Sequence, residues 1–391
     1  MYPTLYHALL DLTGIDLPFL KFLNSFGFFV AVAFVVANRL LTAELRRKQA
    51  NGLLKPSTRT ITIGRPASPS ELATQAVLGF LLGWKGLYLI LHSAQATADT
   101  KAFLFSGTGS VTGGVLGAVA LAGLVWWEKR RQQLDKPRTE TVLIAPSEHA
   151  GSITMTAALW GVVGAKLFHW LENPDELAAF LSDPGGTDLL TGLPMYGGLM
   201  MAGARVMRYS IGHGMPMLAG ADAAAPGVML AYAIGRIGCQ VSGDGDWGIV
   251  NTTVLGPGPR WFWQYDYPNN VNGIGIPLLD GRPCFEGYCT ALPETVFPTP
   301  LYETLACALL FAVLWALRTR LRPMGAIFFL FLLLNGLERF WIEKIRVNVV
   351  LFGDTTQAEL IAGLLMLAGA AGLWMVHRRT NPANDGPATA H

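Results

Sequence analysis

Long apolar runs, repeated along almost the whole chain, restrict what this sequence can become. A bilayer core takes roughly 20 apolar residues per helix. Nine windows approach that length, near 19–41, 76–95, 109–127, 153–171, 195–210, 217–238, 300–317, 324–343 and 357–376. The fifth is the weakest, being short and glycine-rich. The pattern predicts an all-α, polytopic helical membrane protein of about nine transmembrane helices. Charged residues are 14% of the 391 and hydrophobic ones 51%, whereas soluble domains carry about 25% charged residues. A net charge of +2 gives no case for nucleic-acid binding.

Basic residues between the windows set the expected orientation. Clusters follow the first window (Arg46, Arg47, Lys48), the third (Lys129, Arg130, Arg131, Lys136, Arg138), the seventh (Arg318, Arg320, Arg322) and the ninth (His377, Arg378, Arg379), and Arg205 and Arg208 end the fifth. All fall on one side, the cytoplasm, if the N-terminus is outside and nine helices cross. The segments 96–108, 172–194, 239–299 and 344–356 then face outward with few basic residues: Lys101, Arg260, Arg282, Lys344 and Arg346.

This reading makes 1–376 one transmembrane domain, with a cytoplasmic linker at 42–75, a small irregular periplasmic arm at 239–299 and a cytoplasmic tail at 377–391. The first window has no basic flank before it and no small-residue cleavage site after it, so no cleavable signal peptide is expected. The arm holds Trp261, Phe262, Trp263, Tyr265 and Tyr267, ring types that favour the headgroup zone. It is expected either to lie on the membrane surface or to form an irregular loop with a small core of its own. Cys284 and Cys289 flank four residues, and an oxidising compartment would favour a disulfide there. Cys307 lies inside a window and reads as a packing residue. The cysteines lack zinc-type spacing, and His92, His169 and His213 lack ligand spacing. Neither a metal nor a cofactor is expected.

Four polar constellations converge on the outward ends of the windows: Gly235-Arg236-Ile237-Gly238-Cys239-Gln240-Val241-Ser242-Gly243-Asp244-Gly245-Asp246-Trp247-Gly248, Met195-Tyr196-Gly197-Gly198-Leu199, Phe297-Pro298-Thr299-Pro300-Leu301-Tyr302-Glu303, and the run Glu338 to Arg346. Ionisable residues at membrane depth are costly and point to function. Arg339 and Glu343 share a helix face at i,i+4, which suits a site or a simple helix-end ion pair. Asp244 and Asp246 suit proton transfer or an Asx-type turn. The glycines admit close helix packing or close approach of backbone to a lipid headgroup.

Together these segments resemble the prolipoprotein diacylglyceryl transferase family. Gly235-Arg236-Ile237-Gly238 with Gly243 and Trp247-Gly248 is similar to the family signature. Tyr196-Gly197-Gly198-Leu199 resembles its His-Gly-Gly-Leu segment, and Pro298 to Glu303 its Pro-Ser/Thr-Gln-Leu-Tyr-Glu segment. Arg339, Glu343 and Arg346 resemble its Arg-x-x-x-Glu-x-x-Arg helix end. Asp222 and residues 161–166 have weaker counterparts, and Phe26-Gly27 aligns with a Tyr-Gly. The resemblance covers 19–41 and roughly 153–376, and makes the stretch 75–130 a two-helix insertion into a seven-span family. Departures are Phe26, Tyr196, Cys239, Ser242, Asp244, Phe297, Pro300 and Lys166, where the family carries tyrosine, histidine, asparagine, asparagine, glutamate, histidine, glutamine and arginine. They leave open a divergent branch with altered proton handling, a changed substrate, or lost activity.

The resemblance implies an enzyme of the bacterial inner membrane. It would move the diacylglyceryl group of phosphatidylglycerol to the thiol of a lipobox cysteine in a prolipoprotein signal peptide, the first step of lipoprotein maturation. Glycerol-1-phosphate would leave. Guanidinium forks match phosphate oxygens, so Arg236 and Arg339 are assigned to the phosphate. Candidates for taking the thiol proton are Asp244, Asp246, Glu343 and Tyr196. Glu303 is expected to orient an arginine. Gly197, Gly198, Gly235, Gly238, Gly243, Ser242, Asp246, Tyr302 and Arg346 are expected to line the lipid pocket. The rival readings are a membrane transporter and an inactive homologue that binds lipid or lipoproteins.

Overall fold

The structure is a computed structural model that describes residues 1–93, 103, 107–182, 195–278, 281–285, 287–347, 350–352 and 355–380. Most of the expected outward segment 96–108, including Lys101, much of 172–194 and the tail beyond residue 380 lie outside the described residues.

A helix occupies each of the nine apolar windows. They are α2 (Ser25–Ala50), α3 (Pro69–Leu91), α4 (Val111–Arg131), α5 (Ala150–Glu172), α7 (Met195–Gly212), α8 (Met217–Ser242), α10 (Thr299–Leu317), α11 (Ala326–Glu343) and α12 (Gln357–Thr380). Seven helical segments among the described residues are long and apolar enough to cross a membrane. The two outside that set, α7 and α11, are 18 residues each and carry Arg205 and Arg208, and Glu338, Arg339 and Glu343. Short helices α1 (Leu5–Thr13), α6 (Pro174–Ser182) and α9 (Arg260–Trp263) are the other α-helices among the described residues.

Several boundaries differ from the sequence reading. The first span starts at Ser25, because Pro18–Phe22 forms a 3-10 turn and the Asn24 side chain caps α2 by accepting from Phe26 N at 2.8 Å. It runs on to Ala50, so the segment 42–75 is helix, then strand, then helix. The arm begins at 243, because α8 continues to Ser242. There Gly243 takes φ 64° and its N–H closes the last turn on Cys239 O at 3.0 Å. The described residues also hold three two-stranded antiparallel sheets that a purely helical expectation omits.

The first of these sheets organises the segment 75–130. Strand β1 (Ser57–Ile63) pairs along its length with β2 (Arg138–Ile144). The α3–α4 hairpin therefore leaves and rejoins the chain at one place. Ser68 caps α3 in a capping box with Glu71. The two helices then approach through glycines. A Cβ on Gly79 would stand 2.2 Å from the Gly117 carbonyl oxygen, and one on Gly83 2.1 Å from that of Gly113. Small residues at such crossings let backbones meet where lipid leaves little hydrophobic drive for association. Val77, Leu81, Val115 and Val119 stay exposed, as lipid-facing positions do.

Helix α8 packs against α2, α10 and α11, while α5 packs on α2 and α7, and α12 on α11. One apolar cluster joins Leu41, Leu45 and Leu54 to Ile153, Met215 and Ala219. Another joins Met229 and Ala233 to Cys307, Leu314 and Ile327. The ends of the helices are tied by charge. Glu44, fully buried, binds Arg47 at 2.7 Å and Arg318 at 2.9 Å, so the first and seventh basic clusters meet at one end of the bundle. Asp222 receives Gly325 N at 2.8 Å and Phe328 N at 2.9 Å, capping α11 from a neighbouring helix, and Lys48 sits 3.4 Å away.

The arm covers the opposite end. It carries α9, the two-residue strands β3 (Ile276–Pro277) and β4 (Thr290–Ala291), and a small core of its own. Tyr267 is wholly buried and its hydroxyl donates to Gln240 Oε1 at 2.9 Å. The buried Asn270 donates to Ile274 O and accepts from Ile274 N. Cys284 and Cys289 form a disulfide with Cα atoms 5.0 Å apart. The loop they close stacks on α1, with the Phe285 ring 4.8 Å from that of His7. The N-terminal ammonium donates to Pro268 O at 2.9 Å. The N-terminus and the arm thus share one end of the bundle.

Replacing Gly79 with leucine is expected to part α3 from α4 at a cost of about 1–3 kcal/mol. Gly86→Leu is the control, because no atom lies within 4 Å of a Cβ there. Thermal unfolding of the detergent-solubilised chain should show several degrees lost for the first and little for the second.

Candidate active site

At the arm end, three helix termini deliver opposite charges to one place. Arg236 lies two turns before the end of α8, Glu303 sits in the second turn of α10, and Arg339 and Glu343 finish α11. Arg346 follows on the strand-like link that pairs Gly248 with Arg346. Glu303 is fully buried. Its Oε1 accepts from Arg346 Nη1 at 3.1 Å and from Arg339 Nη1 at 3.3 Å, while Oε2 forms an ion pair with Arg236 Nε. Asp246 pairs with Arg236 and accepts from Arg346 Nη2 at 2.6 Å. Glu343 pairs with Arg339 at 2.9 Å and accepts from Thr356 Oγ1 at 2.7 Å. Three guanidiniums and three carboxylates therefore interlock.

Backbone geometry holds this centre. Gly248 N donates to Phe297 O and Ile249 N to Ile345 O, both at 2.9 Å. A Cβ on Gly248 would stand 2.4 Å from Ile345 O, so glycine is required for the approach. Thr299 Oγ1 donates to Asp246 O at 2.7 Å, fastening the signature loop to α10. Tyr232 lies one turn before Arg236; its hydroxyl is 3.4 Å from Nη2 and its ring lies 5.0 Å from the guanidinium. Neither Tyr232 nor Thr299 was assigned from sequence, although Tyr232 stands at i−4 to Arg236 and so on the same helix face.

The two loop aspartates separate by environment. Burial would push Asp246 up, but the Arg236 and Arg346 guanidiniums outweigh it and hold the carboxyl below the ordinary range. Burial and then the nearby Asp246 charge push Asp244 up. Asp244 Oδ1 also accepts from Asp246 N at 3.3 Å, an Asx-type contact. Arg346 is raised: burial opposes its charge, and Asp246 and Glu303 more than offset that. Cys239, Asp244 and Asp246 bring their ligand-type atoms within 4.8 Å of one another. Arg236 reaches both Asp246 and the Cys239 sulfur, the latter at 3.9 Å, so a guanidinium already supplies that trio's counter-charge.

Other expected pocket residues have packing tasks here. A Cβ on Gly197 would strike Phe168, and one on Gly198 would stand 2.7 Å from Gly161 O, so both glycines seat α7 on α5. Gly238 faces Phe26 and Phe29 of α2, while nothing lies within 4 Å of a Cβ on Gly235. Gly243 ends α8, and the Ser242 carbonyl accepts from Val271 N at 2.9 Å. Tyr302 donates its hydroxyl to Phe262 O at 2.6 Å and pins α9. Tyr196 begins α7, and no polar contact joins it to the arginine centre among the described residues.

Membrane-length helices ending in a buried arginine–carboxylate centre define an integral membrane protein with a polar site at one end of its bundle. The prolipoprotein diacylglyceryl transferase family matches residues 138–375. That is more than half of the chain, and the chain belongs to this family. It is similar to a phosphatidylglycerol–prolipoprotein diacylglyceryl transferase of Corynebacterium efficiens, 29% identical over 279 residues, covering 68% of this chain and 79% of the relative. A protein of the same name from Dehalococcoides mccartyi is 27% identical over 283 residues, covering 69% of this chain and 89% of the relative. One from Streptomyces coelicolor is 30% identical over 205 residues, half of each chain. The matched segment starts with β2 and contains every member of the arginine centre. Helices α3 and α4 precede it.

Replacing Glu303 with alanine leaves guanidiniums buried without their shared partner, a change that costs about 3–5 kcal/mol. A large fall in melting temperature in detergent is the expected reading. Asp246, whose folded proton affinity is depressed, contributes stability in full above the unfolded carboxylate value of about 4. That contribution is lost as pH falls through the lower folded value. Acid titration of stability should therefore be flatter for Asp246→Asn than for the parent.

Proposed function

We propose that this chain transfers the diacylglyceryl group of phosphatidylglycerol to the thiol of a prolipoprotein cysteine. Three guanidiniums from separate segments, gathered at one end of the membrane bundle, carry the reading, and the family and the names of the relatives agree with it. In the transfer a C–S bond forms at the glyceryl carbon and the C–O bond to phosphate breaks. The electron pair leaves on the phosphate oxygen. Negative charge thus grows where preorganised donors in a water-poor site stabilise it best. Nε of Arg339 and Nε of Arg346 are buried without a hydrogen-bond partner among the described residues, and these are the donors we assign to the phosphate together with Arg236.

The acceptor's thiol needs a pocket beside this clamp, and the signal peptide brings it from the membrane. Arm, N-terminus and arginine centre share one end of the bundle, which supports a periplasmic position for all three. The basic clusters at the other end support a cytoplasmic C-terminus in a bacterial inner membrane. A count of nine crossings, with α7 and α11 included, follows the same argument. The charges gather at one end rather than at mid-depth, where transporters hold their sites.

Labelled phosphatidylglycerol in proteoliposomes, with a lipobox peptide as acceptor, tests the assignment. The parent chain should transfer the label. Arg236→Lys and Arg339→Lys should each lose about 10²–10³-fold, the effect of removing one oxyanion donor, while the melting temperature is kept. Near-normal turnover in either would remove that arginine from the phosphate site.

A further inference from the structure

The arginine centre has a fourth carboxyl. Glu338 precedes Arg339 on α11 and is buried, with about nine-tenths of its surface covered (9% exposed). Both of its side-chain oxygens are shielded from solvent, and neither has a hydrogen-bond partner among the described residues. Its electrostatic neighbours are Glu303, Arg339, Arg236 and Arg346. Tyr232 on α8 and Cys307 on α10 also lie within its electrostatic reach. Helix α12, packed on the same helix, contributes Glu359, which is bound to Lys344.

Every other carboxyl of the centre is engaged. Glu303 takes three guanidiniums, Asp246 two, and Glu343 pairs with Arg339 and Thr356. The three guanidiniums are engaged by those three carboxylates, and Glu338 has no ion pair of its own among the described residues. A buried polar group without a partner costs free energy, and native folds keep few of them without a reason. The depth is informative too. Glu338 lies five positions before the α11 terminus at Glu343, about 7.5 Å along the axis at 1.5 Å per residue. Its neighbour Cys307 lies one turn inside Glu303. The carboxyl therefore lies at the depth of the arginines, inside the helix end rather than at its rim. A lipid whose phosphate is held by those arginines places its glyceryl carbon next to them, at that same depth.

We propose that Glu338 is the general base of the transfer and takes the proton of the acceptor thiol. The inference rests on the function proposed above. The S–H proton passes to a Glu338 oxygen, and the sulfur lone pair forms the C–S bond. The C–O bond to phosphate breaks, with its electron pair going to the phosphate oxygen. The departing phosphate monoester then takes the proton from Glu338 and restores the carboxylate. Asp246, Glu343 and Tyr196 are left with binding or structural tasks, and Asp244 stays at the rim.

Two acceptor peptides, identical except for cysteine or selenocysteine, test the role in phosphatidylglycerol proteoliposomes. A selenol is already ionised at neutral pH and needs no base. Glu338→Gln keeps the side chain's shape. It should lose about 10²–10⁴-fold on the thiol peptide, the range of a general base, and recover to within about tenfold of the parent on the selenol peptide. Equal losses on both peptides, or retained thiol activity, would overturn the proposal. Glu338→Asp draws the carboxylate back by one methylene and provides a second reading. Its thiol-to-selenol rate ratio should fall below the parent's, and an unchanged ratio counts against the role even if the glutamine variant does not fold. Failure of the parent on both peptides would sink the transferase reading instead.

Discussion

A carboxylate with no exposure to solvent, Glu303, is the point on which this architecture depends. Burying it alone would cost several kcal/mol even after relaxation. It is tolerable because Arg236, Arg339 and Arg346 reach it from three separate segments. The dependence runs both ways, since those guanidiniums could not enter the bundle without it. Ion pairs of this kind add little net stability compared with apolar packing. What they specify is register: α8, α10 and α11 must end at one level for the charges to meet. The bundle therefore pairs an apolar interior, where small residues on α8 let helices approach, with one polar layer whose geometry is tightly set.

That layer is also what makes a reactive site possible. Donors fixed before substrate arrives need no reorganisation when charge develops, and low surrounding polarity strengthens them. Closure by the arm adds to this. The Gly248 N–H and the Thr299 and Tyr302 hydroxyls stitch the arm to helix ends by donating to backbone carbonyls, and the first residues of the chain dock on it. The site is thereby built from parts distant in sequence and roofed by a segment with its own small core.

The α3–α4 hairpin follows a different logic. It rejoins the chain through the β1–β2 pairing and packs on itself through glycines, so it satisfies its own geometry with little demand on the rest. Two consecutive membrane-length helices return the chain to the same side of the bilayer. A hairpin of this form can be carried without disturbing the helices that deliver the arginines.

Much of this was legible in the chain itself. Lipid demands runs of about twenty apolar residues and leaves charges only where they are matched, so the windows, the basic clusters and the exceptional Arg236, Glu303, Arg339 and Glu343 could be read directly. The sequence could not show which carboxyl stands beside which guanidinium, because that depends on the relative rotation of helices far apart along the chain. Gly197 and Gly198 read equally as pocket or packing residues until α5 was seen against them. Asp244 and Asp246 looked alike until two arginines were found on one and not on the other. Glu338 was visible as a charge in an apolar run, yet its lack of a hydrogen-bond partner among the described residues exists only in three dimensions. Hydropathy is a local property that sequence determines; pairing is a property of the packed bundle, and tertiary structure alone decided it.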